Sequence, residues 1–401
     1  MWWVRISQAA GERGAPKPEF ALRAAWVSLV LVLSVTQAVA AEWTAGKAAQ
    51  ADTLVKQFLA RLDATRGALP KVSFALAIGT ERALGMAKGY GESAPGVAAT
   101  EHTVFHVGSL AKQFTASAVL DLIGRDATLR DGTAVTLDLA LARVFKGVEH
   151  WPGQDAASNT QPVTLRTLLT MTSNLPNFTR LPPATTNPWG RIGAPELLSE
   201  LKKLRPSGWP NTFEYSNTSY FLLAETIEEA LLPGEAMPHS HHAYLRQTIF
   251  PRAHLRETGF IGDYPAGAVV APPIYRRRPV FDQPDWLKGS ADVASSAGDL
   301  YAWNAALMGG RILPVELVDL MVSDGARVTP DLYYGMGWFV EHRADYDLFT
   351  HSGLVPGYTA LNMIAASEGR RDWTSVTLLV NTDVPEGMDT LAEDLLRLAR
   401  E

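Results

Sequence analysis

The 401-residue sequence contains no cysteine. This absence excludes disulfide bonds, thiolate metal sites, a cysteine nucleophile and a lipid-modified N-terminal cysteine. Basic residues are also scarce: without residues 1–41, 32 Lys and Arg remain against 40 Asp and Glu, a formal charge of −8. Because an acidic protein repels a phosphate backbone, we expect no nucleic acid partner.

Apolar runs are short near the N-terminus. Residues 24–35 form a run of about a dozen residues, too short to span a bilayer, which is followed by the small-x-small pattern Ala38-Val39-Ala40. This pattern predicts a secretory signal peptide over residues 1–41, with a retained membrane anchor as the alternative. We expect a periplasmic or secreted protein, without membrane contact after signal cleavage, whose remaining residues 42–401 carry the function.

Strand patterns lie at both ends of the chain and helical patterns lie mainly between them. Predicted strands are 72–78, 84–91, 334–340, 361–365 and 376–381, and predicted helices are 54–62, 109–123, 165–171, 195–204, 220–232, 299–308 and 390–400. This order predicts an α+β fold, in which one sheet is built from both ends of the chain and covered by the terminal helices. A helical lobe is inserted between the strands, and the cleft between the lobes is where a site is expected.

Ser109-Leu110-Ala111-Lys112 lies where an extended segment turns into a helix, so the first and last side chains share one face. A desolvated lysine amine can accept the proton of a serine hydroxyl and make it a nucleophile. The helix N-terminus favours negative charge developing on the substrate. The alternative is a surface lysine beside a helix-capping serine.

Two further segments carry polar groups suited to this chemistry. Tyr215-Ser216-Asn217 precedes an apolar helix. Ammonium groups nearby would lower the pKa of the tyrosine, which could then relay a proton, and the asparagine could hold the lysine or the substrate. The alternative is helix capping by Ser216 and Asn217. His351-Ser352-Gly353 precedes a segment typical of a sheet edge, where a glycine leaves room for a substrate. A lone histidine there is otherwise an ordinary loop residue.

The three motifs, in this order, resemble those of the serine β-lactamase and penicillin-binding-protein superfamily. Residues 165–176, 213–223, 295–307 and 334–338 are similar to the branch that contains class C β-lactamases, D-alanyl-D-alanine carboxypeptidases and certain esterases. The resemblance implies an antiparallel sheet flanked by terminal helices beside an all-α lobe, and no cofactor. It also implies that Ser109 is acylated, that Lys112 and Tyr215 share the acid and base roles, and that Asn217 orients them. The oxyanion would be held by the backbone amides of Ser109 and Leu354.

The sequence departs from this family pattern at four positions. Class C β-lactamases generally have lysine where this chain has His351. A histidine of ordinary pKa is mostly neutral at pH 7 and becomes positively charged below it, so we expect anionic substrates to be used better below neutral pH. Leu354 lacks a hydroxyl that would help to bind a carboxylate, which favours uncharged esters and amides. Asn174 and Asn211 stand where relatives commonly have glycine, a difference that affects turn geometry.

The predicted function is therefore acyl-transfer hydrolysis of a β-lactam, a D-amino-acid peptide or a small ester through an acyl-serine. The alternative is an inactive relative that binds cell-wall peptides or a protein partner through the same cleft. His239, His241 and His242 lie in a polar, proline-flanked segment with no carboxylate framing them, so we assign no metal and expect a solvated loop. The sequence leaves the substrate and the oligomeric state open.

Overall fold

The protein is described by a computed structural model over residues 43–66, 69–145, 162–180, 194–201, 211–275, 287–383 and 385–401. The predicted signal peptide lies outside these residues. The α-helices of the described residues are α1 Ala45–Arg66, α2 Ala111–Gly124, α3 Leu141–Val144, α4 Leu165–Leu169, α5 Ala194–Leu201, α6 Asn217–Ile227, α7 His241–Tyr244, α8 Ala297–Met308, α9 Val315–Met321 and α10 Met388–Arg400. The strands are β1 Phe74–Thr80, β2 Leu84–Tyr90, β3 Glu92–Ala94, β4 Val97–Ala98, β5 Phe105–His106, β6 Thr128–Leu129, β7 Ala230–Leu231, β8 Gly259–Phe260, β9 Val293–Ser295, β10 Ala326–Thr329, β11 Leu332–Tyr334, β12 Phe339–His342, β13 Asp347–Val355, β14 Tyr358–Ala366 and β15 Trp373–Val380.

The main sheet has eight antiparallel strands in the order β10-β11-β12-β13-β14-β15-β1-β2. The N-terminal hairpin β1-β2 joins the C-terminal strands through β15, so the two ends of the chain close one sheet. Side chains of β1 alternate between two cores: Phe74, Leu76 and Ile78 pack on one face, and Ala75 and Ala77 on the other. Both faces of this strand are therefore covered.

The terminal helices α1 and α10 pack side by side on one face of the sheet. Helix α10 places Leu391, Leu395 and Leu396 on one stripe, as a period of 3.6 residues requires, and all three are buried. Each buried leucine contributes about 1.5–3 kcal/mol of hydrophobic stabilisation. Helix α8 covers the opposite face against β1 and β15, so the sheet is the middle layer of three.

The inserted lobe is built around α2, which packs against α6. All residues from Ala111 to Leu122 are buried, and the helix is predominantly apolar around its circumference. A helix of this kind is stable only when other elements enclose it. The start of α2 is thereby fixed at the boundary between lobe and sheet.

The predicted α+β architecture is confirmed, with differences at individual elements. The segment 334–340, predicted as one strand, forms the end of β11 and the start of β12 around a turn at Gly337, whose φ is +84°. The helix predicted over 220–232 ends at Ile227, and Ala230–Leu231 pairs with β6 instead. Among the described residues, no helix combines the length and the apolar character needed to cross a bilayer.

Candidate active site

Ser109 lies in a tight 3₁₀ turn, Gly108–Leu110, that leads directly into α2. Gly108 adopts φ +53°, a conformation that favours glycine, and a Cβ atom there would lie 2.7 Å from the backbone nitrogen of Leu354. The glycine thus allows the turn to approach strand β13 closely. Ser109 remains partly exposed at the start of the helix.

Lys112 is the buried centre of the site, with 0% of its surface exposed. Its Nζ donates hydrogen bonds to Asn217 Oδ1 (2.7 Å) and the Ser290 carbonyl (2.8 Å) and lies within hydrogen-bond distance of Ser109 Oγ (3.0 Å). Burial lowers the pKa of Lys112 well below its ordinary value, and the nearby Asp292 carboxylate opposes this shift. A surface lysine beside a capping serine, the alternative for this motif, is wrong.

Tyr215 faces the same two groups from the loop before α6. Its hydroxyl forms a hydrogen bond with Ser109, and its ring centroid lies 4.9 Å from Lys112 Nζ. Burial raises the pKa of Tyr215, although the bond with Ser109 opposes this. The expected lowering of this pKa beside an ammonium group is therefore wrong, and the free protein carries a protonated phenol that can donate or relay a proton.

Asn217 begins α6, and its side chain reaches Lys112 instead of capping the helix. Ser216 occupies the N-cap position, yet its hydroxyl makes no capping hydrogen bond. Asn177 accepts a bond from the backbone nitrogen of Asn217 at 3.4 Å. The capping interpretation of the second motif is thus wrong, and Asn177 is a supporting residue that sequence analysis missed.

His351, Ser352, Gly353 and Leu354 all lie within strand β13. The prediction placed the triplet before a strand, whereas β13 runs from Asp347 to Val355 and includes it. Strand β12 pairs only with residues 347–350, so within the described residues 351–355 pair with β14 alone. The third motif therefore lies on a partly free strand edge beside Ser109.

Gly353 is required by the close contact between β13 and the serine turn. A Cβ atom at Gly353 would lie 1.8 Å from the Val107 carbonyl oxygen and 3.2 Å from the backbone nitrogen of Ser109. No side chain fits at that position without backbone movement. The turn and the strand therefore lie side by side where the backbone nitrogens of Ser109 and Leu354 occur, and a pair of neighbouring amides is what an oxyanion site requires.

His351 is buried, with 2% of its surface exposed. Its Nδ1 lies 2.7 Å from the Ser352 carbonyl, which can only accept, so the proton is on Nδ1 and Nε2 faces the hydroxyl of Tyr334 at 3.3 Å. Burial and the charge of Lys112 lower the pKa of His351 to about 3. The imidazole is therefore neutral across the range in which the predicted pH dependence required it to titrate, and that hypothesis is wrong.

Asn174 and Asn211 adopt φ +60° and +61°, the left-handed conformation that glycine provides most easily. Asparagine is the residue that tolerates this conformation next best. The two positions therefore keep a turn geometry that a glycine would have.

An apolar cleft of about 560 Å³ opens beside Ser109 and Tyr215. Among the described residues that line it, none is Asp, Glu, Lys or Arg; the lining includes Phe178, Tyr264, Pro272, Tyr275, Leu354 and Tyr358. His106 also faces the cleft, stacks on Tyr358 at 4.2 Å between ring centroids, and has a pKa lowered to about 4 by burial. The described part of the cleft is thus apolar and uncharged near neutral pH.

The interpretation of His239, His241 and His242 as a solvated loop needs correction. His241 is completely buried in α7, and the chain brings Asp292 to His242, with 2.7 Å between Oδ2 and Nε2. The carboxylate was missed because it lies 50 residues away along the chain. The Ser290 carbonyl was missed as well, since a backbone acceptor has no side-chain signature in a sequence.

The chain belongs to the Beta-lactamase family, which it matches over residues 51–401. The superfamily resemblance inferred from the three motifs is therefore confirmed. Among individual relatives, PbpX of Bacillus subtilis (strain 168), named as a candidate penicillin-binding protein, is 26% identical over 270 residues. That match covers 66% of this chain and 60% of the length of PbpX.

Solved structures share the fold at low sequence identity. A D-stereospecific amidohydrolase from Streptomyces sp. has a TM-score of 0.65 at 22% identity, over 86% of this chain and 98% of that one. The octameric penicillin-binding protein homologue from Pyrococcus abyssi has a TM-score of 0.64 at 20% sequence identity, and the match covers 88% of this chain and 76% of that one. The D-amino acid amidase from Ochrobactrum anthropi SV3 has a TM-score of 0.62 at 21% identity, and the match covers 87% of this chain and 98% of that one. These likenesses establish the β-lactamase/transpeptidase-like fold.

Proposed function

We propose that this protein is an exported serine hydrolase that forms an acyl intermediate on Ser109. One observation carries the proposal: a fully buried Lys112 amine lies 3.0 Å from a partly exposed serine hydroxyl at the mouth of an apolar cleft. A buried amine with a lowered pKa is held there by two oxygen acceptors, Asn217 Oδ1 and the Ser290 carbonyl. This contact supports the proposed roles of Ser109 as nucleophile and Lys112 as its general base.

In the proposed acylation, the neutral amine of Lys112 accepts the Ser109 proton while Oγ bonds to the substrate carbonyl carbon. The resulting oxyanion binds the backbone amides of Ser109 and Leu354. Tyr215 donates its proton to the leaving amine or alkoxide as that bond breaks, and the Lys112 ammonium gives its extra proton to Tyr215. In deacylation, water bonds to the acyl carbon and one of its protons passes through Lys112 or Tyr215 to the Ser109 oxygen as that oxygen leaves, which releases the acid.

The favoured substrates are esters and amides whose groups near the scissile bond are uncharged and apolar or aromatic. The described lining offers aromatic and proline surfaces and no cation for a carboxylate. With His351 neutral and Leu354 lacking a hydroxyl, an anionic β-lactam gains no charge-assisted bond from these residues. Similarity to a D-stereospecific amidohydrolase and a D-amino acid amidase adds D-configured amides to the proposal.

A substrate panel tests this proposal. We expect a neutral aromatic ester and an N-acylated D-phenylalanine amide to be hydrolysed with higher kcat/KM than the L-amide or a carboxylate-bearing β-lactam. The Ser109→Ala variant measures the background. The opposite outcome is a wild-type protein that hydrolyses no member of the panel but still binds ligands in the cleft. That outcome would favour the alternative of an inactive relative that binds cell-wall peptide or a protein partner.

Export is proposed from the N-terminal sequence pattern. The mature protein would begin near residue 42 and act in the periplasm or outside the cell. N-terminal sequencing of protein from the native host fractionated into cytoplasm, membrane and periplasm tests it. A protein that starts at residue 1 and stays with the membrane would support the anchor instead.

A further inference from the structure

A group of three potential metal ligands lies outside the substrate cleft. His241 and His242 begin α7, and Asp292 immediately precedes β9. One ligand atom from each residue lies within 4.8 Å of the other two. Asp292 Oδ2 is 2.7 Å from His242 Nε2 and 4.0 Å from His241 Nδ1. We propose that these three side chains bind a divalent transition-metal ion, for which zinc is the best match.

The hydrogen bonds of His241 show which of its nitrogens is free to bind. Thr115 donates its only hydroxyl proton to the Gly289 carbonyl at 2.8 Å, so it must accept from His241 Nε2 at 3.1 Å. The proton of this imidazole is therefore on Nε2. The lone pair of Nδ1 then points into a buried space in which no described protein group donates to it.

Two electron-rich atoms consequently face each other inside the protein. The Nδ1 lone pair of His241 and the Asp292 carboxylate are 4.0 Å apart, and His241 is fully buried. A buried acceptor without a donor costs free energy, and a neighbouring anion adds repulsion. An ion pair between His242 and Asp292 satisfies the carboxylate but leaves the Nδ1 lone pair unmatched. A cation bound between them satisfies all three groups.

The surroundings orient the ligands as in known zinc sites. A metal-bound histidine generally donates its second N–H to an oxygen, as His241 does to Thr115. Asp292 uses its other oxygen, Oδ1, to accept the Gly289 amide at 3.0 Å. The His242 ring stacks on Phe260 with 3.6 Å between centroids. Each ligand is thus held by a second contact.

Two imidazoles and one carboxylate form a common protein ligand set for zinc, with a fourth position left for solvent. Ligand atoms on one tetrahedral zinc ion are separated by roughly 3.3 Å, which lies between the distances of 2.7 Å and 4.0 Å from Asp292 Oδ2 to the two histidine nitrogens. The side chain of His242 is 37% exposed and provides the route for an ion.

The metal site would be connected to the proposed active site through the backbone. Gly289, which binds both Thr115 and Asp292, immediately precedes Ser290, whose carbonyl holds Lys112. A bound ion would fix this segment and with it one acceptor of the lysine. The three ligands do not line the cleft, so the ion would act on the active site through this segment and through the charge of Asp292 near Lys112.

Zinc binding by tag-free, chelator-treated full-length protein tests the proposal. Competition with a chromogenic chelator should show one equivalent of zinc bound by the wild-type protein, and substitution with Co²⁺ should give the visible absorption of a four-coordinate ion. The variant His242→Phe keeps a ring on Phe260 but removes the ligand nitrogen. We expect it to bind zinc about tenfold or more weakly. His239→Phe, the same change at a histidine outside the group, should leave affinity unchanged.

Asp292→Asn provides a second variant of nearly the same shape, and circular dichroism establishes which variants are folded. Zinc should also raise the melting temperature of the wild-type protein and not that of the ligand variants, because an ion that binds only the folded state stabilises it. These readouts do not depend on hydrolytic activity, so they separate this proposal from the proposed function. Absence of stoichiometric zinc in the wild-type protein, or equal affinity in a folded ligand variant, would overturn the proposal.

Discussion

The amine of Lys112 lies 3.0 Å from the hydroxyl of Ser109, and the lysine has no exposed surface. Its other two hydrogen bonds go to oxygen atoms contributed by α6 and by the segment before β9. Three separate parts of the chain thus hold one amine against one hydroxyl.

The pH dependence of hydrolysis should report the protonation of Lys112. Burial lowers its pKa, so more of the amine is neutral near pH 7 than in a free lysine, and only the neutral form accepts the Ser109 proton. We expect kcat/KM for a neutral ester to fall as pH falls through this pKa. The variant Lys112→Arg, permanently charged, should lose activity about 10³-fold or more.

The control for this profile is His351→Gln. The pKa of His351 is lowered to about 3, so replacing this histidine should not change the pH at which kcat/KM falls on the acidic side of the profile, its acid limb. An acid limb that disappears in this variant would assign the limb to the histidine and contradict the assignment to Lys112.

Tyr215→Phe should lower kcat about 10²–10⁴-fold, because it removes the proton-relaying hydroxyl while its ring stays beside Lys112. Tyr220→Phe is the matched control. Its ring centroid lies 5.7 Å from Lys112 Nζ, but its hydroxyl donates to the Leu169 carbonyl at 2.9 Å. We expect Tyr220→Phe to cost about 1–3 kcal/mol in the free energy of unfolding with little change in kcat. Equal kcat losses in the two variants would refute a proton-relay role.

Gly353→Ala should separate β13 from the serine turn, since the new Cβ would lie 1.8 Å from the Val107 carbonyl oxygen. A displacement on the order of 1 Å at the oxyanion-binding amides should lower kcat/KM about 100-fold. In Gly298→Ala the nearest atom is 3.5 Å from the new Cβ, so this variant should retain activity. Full activity of Gly353→Ala would mean that the close contact is not needed.

Leu354→Thr should broaden substrate use toward carboxylates. The leucine faces the cleft next to the proposed oxyanion-binding amide, and a hydroxyl there could donate to a substrate carboxylate. One hydrogen bond to a charged group corresponds to about a tenfold gain in kcat/KM for a carboxylate-bearing β-lactam. The neutral ester serves as the internal control and should change much less. An equal effect on both substrates would indicate altered packing instead.

Much of the fold could be predicted from the sequence because its helices and strands have strong local patterns. The stripe of α10 and the apolar strand β15 were located correctly, and so was the closure of one sheet by both chain ends. Strand β13 was missed because its sequence, DLFTHSGLV, mixes polar residues and a glycine that are explained only by contact with the serine turn.

The same distinction applies to the candidate site. Ser109 and Lys112 share one helical turn, so local geometry predicts their contact. The Ser290 carbonyl and Asp292 approach Lys112 only through the tertiary fold, and neither forms a motif with it. The direction of a pKa shift also depends on the tertiary fold. Burial is the main cause of the raised pKa of Tyr215 and of the lowered pKa of His351, and the sequence does not specify burial residue by residue.

The central claim is that Ser109 is a nucleophile activated by Lys112, and covalent labelling tests it most directly. The intact mass of the mature protein is measured after exposure to a reactive fluorophosphonate, beside Ser109→Ala and Lys112→Arg. We predict a single adduct on the wild-type protein, none on Ser109→Ala and much slower labelling of Lys112→Arg. An unlabelled wild-type protein, or an adduct that persists in Ser109→Ala, would contradict the account.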